Sequence, residues 1–289
     1  MPNAVEPPTA SPRRLDEALG LLAETDGGPW RPLAGGTDLM VQIAGEIGEP
    51  PERLLDIWAL DELRGIAVEG HALVVGALTT YTEIRRSPVV AEVLPSLAEA
   101  AATIGAAQIQ NRGTLGGNVV NASPAGDTLP LLLASDAEMV LGSARGERSV
   151  PAGEFWPAYR TTARRDNELL LRIRIPLVPG RELRFRKIGT RRAQAISKVV
   201  MALAWRPERD GTWHDARLAL GSVAATTIRV PSTEAVLEGA EPTRETAAAA
   251  SDVLAAEIAP IDDVRSTADY RRAVAARVLH RLIRDEGGW

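Results

Sequence analysis

The chain of 289 residues contains no cysteine. Disulfides, thiolate nucleophiles and a cysteine-bound iron–sulfur cluster are therefore excluded within it. Histidine is almost as scarce. His71, His214 and His280 stand far apart, which argues against a histidine-built metal centre. Lysine is reduced to Lys187 and Lys198 in a chain rich in arginine. Positive charge is not in excess either: 33 Lys plus Arg against 38 Asp plus Glu gives a net charge of −5. A nucleic-acid-binding face is not expected from that balance. No apolar run is long enough to span a membrane, and the start, Met1-Pro-Asn-Ala-Val-Glu-Pro-Pro8, lacks a signal-peptide pattern. The expected location is cytoplasmic.

The common nucleotide and hydrolase fingerprints are missing too. There is no G-x-G-x-x-G, no G-x-x-x-x-G-K-[ST] and no G-x-S-x-G. What stands in their place is a pair of Gly-Gly elements about eighty residues apart. The first is Gly35-Gly36-Thr37-Asp38. The second is Thr114-Leu-Gly-Gly-Asn118, which runs on through Asn121-Ala-Ser-Pro-Ala-Gly-Asp127. Glycine has no Cβ, so such segments let backbone N–H groups approach a ligand closely. A diphosphate needs donors from more than one side, and two such loops meeting in space would supply them. Asp127 could accept from hydroxyls of a sugar or ribityl chain. Each loop taken alone reads first as a tight turn, since glycine is the default turn residue.

Along the chain, Ser11-Pro12 has the form of a helix N-cap and first position, with Leu15, Ala18, Leu19 and Leu22 on one apolar face. A strand over Trp30 to Ala34 runs into the first glycine pair, and a helix starts near Leu39. The segments 65–69 and 72–76 flank Gly70-His71 as a hairpin. Thr80-x-x-Glu83 matches a capping box. A helix is expected over Pro95–Ala102, and a buried one over 128–134 before a strand at 137–141. From about Leu169 the pattern becomes alternating strands, 169–176, 183–188, 198–206 and 216–223, closed by amphipathic helices at 243–258 and 267–284. This predicts α+β architecture, with a separate C-terminal domain of antiparallel sheet and packed helices. Lys198 falls in an apolar strand there, where a lysine must snorkel, pair with an acid or meet a ligand.

Leu33-Ala-Gly-Gly-Thr-Asp-Leu-Met40 and Thr114 to Asp127 together resemble the FAD-binding subunit of the molybdenum hydroxylases, the xanthine dehydrogenase and aerobic carbon monoxide dehydrogenase family. The likeness continues through Trp156-Pro-Ala-Tyr-Arg-Thr161, Glu168 to Pro176, Phe185-Arg-Lys187, Arg191-Arg192, Ile196-Ser-Lys-Val199 and Asp269-Tyr-Arg-Arg-Ala273, and so spans nearly the whole chain. It implies a two-subdomain FAD-binding region of the vanillyl-alcohol-oxidase or PCMH type over 1–170, divided near residue 60. A C-terminal α+β domain of the CO dehydrogenase flavoprotein type follows over 171–289.

By the same resemblance, Ala34, Gly35, Gly36, Thr37, Asp38 and Leu39 hold the pyrophosphate from one side. Thr114, Gly116, Gly117 and Asn118 close it from the other. Ile104 and Val120 line the adenosine or flavin edge, Asp127 holds ribityl atoms and Leu170 packs on the isoalloxazine. Lys198 lies near the flavin N1–C2=O end, where a positive charge stabilises the anionic reduced ring. FAD would receive electrons from an iron–sulfur subunit and a molybdopterin-binding subunit. It would pass them to a small-molecule acceptor such as NAD+, a quinone or oxygen. The alternatives are a free-standing flavoenzyme of the same fold and a scaffold that has lost FAD.

Overall fold

The computed structural model describes residues 7–24, 26–45 and 49–289. The segment Met1 to Glu6, on which the signal-peptide reading partly rests, lies outside them. The chain opens with β1 (Thr9–Ala10), α1 (Leu15–Leu22), β2 (Trp30–Leu33), α2 (Leu39–Ala44) and β3 (Arg53–Asp56). The three strands form a parallel sheet in the order β1-β3-β2. The apolar stripe of α1 is buried as its spacing predicts, through Ala18 and Leu22. Its start is not where the sequence puts it. Arg14, not Ser11, is the N-cap, and the exposed first-turn N–H of Leu15 donates to the Glu62 carboxylate at 3.0 Å. A carboxylate distant in sequence replaces the local cap.

Next come β4 (Ile66–Glu69), β5 (Ala72–Gly76), α3 (Tyr81–Arg86), α4 (Pro88–Val93), α5 (Pro95–Ala102), α6 (Ala107–Gln110), α7 (Leu115–Asn121) and α8 (Leu129–Ala134). They are followed by β6 (Glu138–Ser143), β7 (Gly146–Pro151), α9 (Ala152–Phe155) and β8 (Leu169–Pro176). The hairpin β4–β5 and the capping box of α3 form as expected: Thr80 accepts from the Glu83 N–H, and the Glu83 side chain returns to the Thr80 N–H. The five strands assemble in the order β4-β5-β8-β6-β7. Here β8 lies between β5 and β6, pairing Val75 with Ile173 and Met139 with Ile173. The boundary expected at 170 would cut this strand. The sheet of the first region extends to Pro176, because β8 pairs with β5 and β6 along its length.

The rest of the chain is β9 (Glu182–Ile188), β10 (Val199–Pro207), β11 (Trp213–Gly221), β12 (Ile228–Arg229), α10 (Pro231–Leu237), α11 (Arg244–Glu257) and α12 (Ala268–Gly287). Its strands form an antiparallel sheet in the order β12-β11-β10-β9. Successive strand residues point to opposite faces, and β10 is buried on both. Val200, Ala202 and Ala204 join the core of the first region, while Val199, Met201, Leu203 and Trp205 join a second core with α11 and α12. Trp205 stacks on Trp213 there, with ring centroids 4.6 Å apart. The continuous apolar run from Val199 to Trp205 is therefore a strand between two hydrophobic layers. Among the described residues, no helix is long and apolar enough to cross a membrane.

Candidate functional site: a cavity between two glycine turns

The first Gly-Gly turn meets the backbone just before the second, at Arg112 and Gly113. The lack of a Cβ on Gly35 makes room for the carbonyl oxygen of Arg112, with which a side chain there would overlap. The Arg112 guanidinium lies over the Trp58 ring at 3.8 Å from its centroid, and Arg64 covers the same ring at 4.4 Å. Gly36 has φ +75°, the left-handed conformation glycine adopts without strain. Gly116 packs with its Cα side on Ala77, where a Cβ would come within 2.6 Å of the carbonyl oxygen. Between the turns lies a cavity of about 550 Å³. That is within the usual range for cofactor sites.

The turns present different chemistry to this cavity. Among the described residues, the backbone N–H groups of Gly35, Gly36, Thr37, Asp38 and Leu39 have no protein acceptor. A run of unpaired backbone donors at a turn is the kind of arrangement that suits an anion. The second element is not a loop but the first turn of α7. Its N–H groups are already used: Leu115 donates to Thr79 O, Gly116 to Ala77 O, Gly117 to the Thr114 hydroxyl and Asn118 to Thr114 O. What it offers are side chains. Thr114 is the N-cap, and its Oγ1 keeps a proton to donate. Asn118 Oδ1 accepts from Thr128 Oγ1 at 2.7 Å, leaving its Nδ2 free to donate. Trp156 Nε1 fixes α7 from behind by donating to Val119 O at 2.9 Å.

Ala34, Gly35, Gly36, Thr37, Asp38 and Leu39 all line the cavity, as do Thr114, Gly116, Gly117 and Asn118, and also Ile104, Val120 and Leu170. Asp127 and Lys198 do not. The Asp127 carboxylate is buried against Lys187 Nζ at 2.6 Å and accepts from the Ser197 hydroxyl. Burial pushes this carboxyl up, against the pull of the Lys187 charge. Lys198 stands one residue before β10, and its ammonium lies 4.8 Å from the ring centroid of Tyr270 on α12. Its partner is thus an aromatic face on α12.

Several lining residues carry no expectation from the sequence. Tyr81, the first residue of α3, is buried in the wall. Arg160 donates to Asn121 Oδ1 at 3.2 Å, and both line the cavity beside Asp38. Burial raises the Asp38 carboxyl, while the Arg160 charge and the Asn121 amide pull it down. Arg164 bonds the carbonyls of Arg165 and Glu168, each at 2.8 Å, which fixes the turn leading into β8. The Trp156–Thr161 stretch of the resemblance was the available signal for Arg160, but nothing local tells which of its residues turns inward. Among the described residues no cluster of metal-ligating side chains exists.

The family profile described as "FAD binding domain in molybdopterin dehydrogenase" matches residues 5–178, and "CO dehydrogenase flavoprotein C-terminal domain" matches 184–285. The chain belongs to the FAD-binding subunits of the molybdenum hydroxylases. Within that family, it is 34% identical to the carbon monoxide dehydrogenase medium chain of Hydrogenophaga pseudoflava, over 94% of each chain. It is 31% identical to the nicotinate dehydrogenase FAD-subunit of Eubacterium barkeri, over 96% of this chain and 97% of that one. A structure of the Hydrogenophaga pseudoflava enzyme superposes with a TM-score of 0.89, at 34% identity over 95% of both chains. Quinoline 2-oxidoreductase from Pseudomonas putida 86 superposes with a TM-score of 0.90, at 27% identity over 98% of both chains. The family's cofactor is FAD. The cavity fits it: a row of unpaired amides suits a diphosphate, and the apolar Ile104, Val120, Leu169 and Leu170 suit flat rings.

Proposed function

We propose that this chain is the flavin-bearing electron-transfer subunit of a hydroxylase or dehydrogenase complex. Partner chains carry its iron–sulfur clusters and molybdopterin. The observation that carries the reading is the set of five unpaired amides from Gly35 to Leu39 in the wall of a flavin-sized cavity. These amides hold the diphosphate. Thr114 and Asn118 donate to it from the opposite turn, and the isoalloxazine packs against Leu170. When bound, FAD supplies a centre that takes up electrons and hands them to a small-molecule acceptor. The chain itself orients that centre and excludes water from it with Ile104, Val120 and Leu170. The clusters must be held by residues outside this sequence, which has no cysteine for them.

A C-terminal domain starting after Pro176 also forms part of the proposal. The test is the purified chain and its visible spectrum. Stoichiometric flavin, reduced by a copurifying iron–sulfur and molybdopterin chain, is expected. A colourless chain that stays colourless with added FAD overturns the reading. So does a flavoprotein that purifies alone and turns over a substrate.

A further inference from the structure

Lys187 is one of two lysines in the chain, and its side chain is only 3% exposed. It lies on β9 directly opposite Val200 of β10. Directly opposed residues share a sheet face, and Val200 belongs to the core of the first region. The ammonium therefore leaves the C-terminal sheet and enters the FAD-binding region. There it donates to Thr103 O at 3.1 Å and to Asp127 Oδ2 at 2.6 Å. Ser197, just before β10, donates to the other oxygen of the same carboxylate. Both receiving groups adjoin the cavity wall. Thr103 precedes Ile104, whose carbonyl also accepts from Gln110 Nε2 at 2.9 Å. Asp127 precedes Thr128, whose hydroxyl donates to Asn118 Oδ1 at 2.7 Å and so turns the amide donor of Asn118 outward.

We propose that Lys187, through Asp127 and Thr128, is a positioning residue by which the C-terminal domain sets the Asn118 face of the FAD site. The inference rests on the reading of the cavity as that site. Asp127, whose two oxygens accept from Lys187 and Ser197, is the link between Lys187 and Thr128. Removing one partner alone leaves a buried charge unpaired and endangers folding. The informative variant is therefore the double one, K187M/D127N, which removes both charges at similar volume.

The experiment titrates the full chain, stripped of flavin, with FAD, and compares melting of the flavin-free forms. K187M/D127N is expected to melt near the parent and to bind FAD about tenfold more weakly, a change of about 1.4 kcal/mol. T128V, which removes only the hydroxyl, is expected to weaken FAD similarly. The triple variant is expected to be no weaker than either, because linked residues fail to add. Unchanged FAD affinity in a folded K187M/D127N overturns the relay, and so do additive losses in the triple variant. Should the double variant melt early, unchanged affinity in T128V overturns it alone. G117V separates this from the site reading: if G117V binds FAD like the parent, the site itself is misplaced. If G117V loses FAD while K187M/D127N keeps it, only the relay fails.

Discussion

Gly35-Gly36 and Gly116-Gly117 look alike in sequence and face the same cavity, but they work in opposite ways. The first is bare backbone, five amides with no protein acceptor among the described residues. The second has its amides bonded inward and offers hydroxyl and amide side chains instead. Within each pair the glycines also differ. Gly35 and Gly116 are glycine because another piece of backbone lies where a Cβ would be. A Cβ on Gly117 would meet only the hydroxyl of Thr114, at 2.9 Å. The second pair thus combines one residue chosen by the fold and another that leaves room at the cavity, whereas in the first Gly36 is set by its left-handed φ of +75°.

The sharpest way to break this comparison is Gly35→Ala. Its methyl group would drive the Arg112 carbonyl away and separate the two turns. We expect a loss of at least about 3 kcal/mol in the flavin-free chain, read by thermal or urea melting. A melting curve like the parent's would show that the turns are not in contact. Gly117→Val comes next. It should leave the melting of the flavin-free chain within about 1 kcal/mol of the parent. It should still abolish stoichiometric FAD, measured by the 450 nm absorbance of the purified protein, ~10²-fold in affinity or about 2.7 kcal/mol. Full flavin content in that variant would remove Gly117 from the site.

A smaller effect tests the support of the entry to β8 rather than the turns. Burial pushes the Glu168 carboxyl up, but the Arg148 guanidinium, at 2.6 and 2.8 Å, and the Arg165 N–H hold it below the usual carboxylate range. Its unfolded pKa is about 4.3. The pair therefore contributes in full above that pH, and the contribution is lost as pH falls through the lower, folded value. Glu168→Gln should cost about 2 kcal/mol at neutral pH and flatten the acid limb of stability against pH. An acid limb of unchanged steepness would rule out Glu168 as its source. The smallest effect is expected for Thr114→Ala, about 1 kcal/mol of stability from the lost N-cap. The same variant should weaken FAD in titration, since one donor of the second turn goes with it. Unaltered FAD affinity would leave that turn a purely structural cap.

Local rules were enough where partners are close in sequence. The capping box of Thr80 and Glu83, the helix Pro95–Ala102 and the β4–β5 hairpin stand where their residues predict. They were insufficient where the partner is remote. The first turn of α1 is satisfied by Glu62, so Ser11 is not needed as a cap. Asp127 ends a motif that reads as ligand-binding, yet its partner is Lys187, sixty residues on. Lys198 invites a ligand until Tyr270 is seen beneath it. Strand β8 resembles the antiparallel strands that follow, and only its pairing with β5 and β6 assigns it to the earlier sheet.

From Val199 to Trp205 the strand β10 has no face toward water. Val200 and Ala202 are sealed by one hydrophobic layer, Met201 and Leu203 by another. A party wall of this kind cannot be taken down for one household only. Opening either half of the molecule strips one side of β10, so the two halves are expected to melt in a single cooperative step. Chains cut between Pro176 and Glu182 should then be insoluble pieces rather than two small domains.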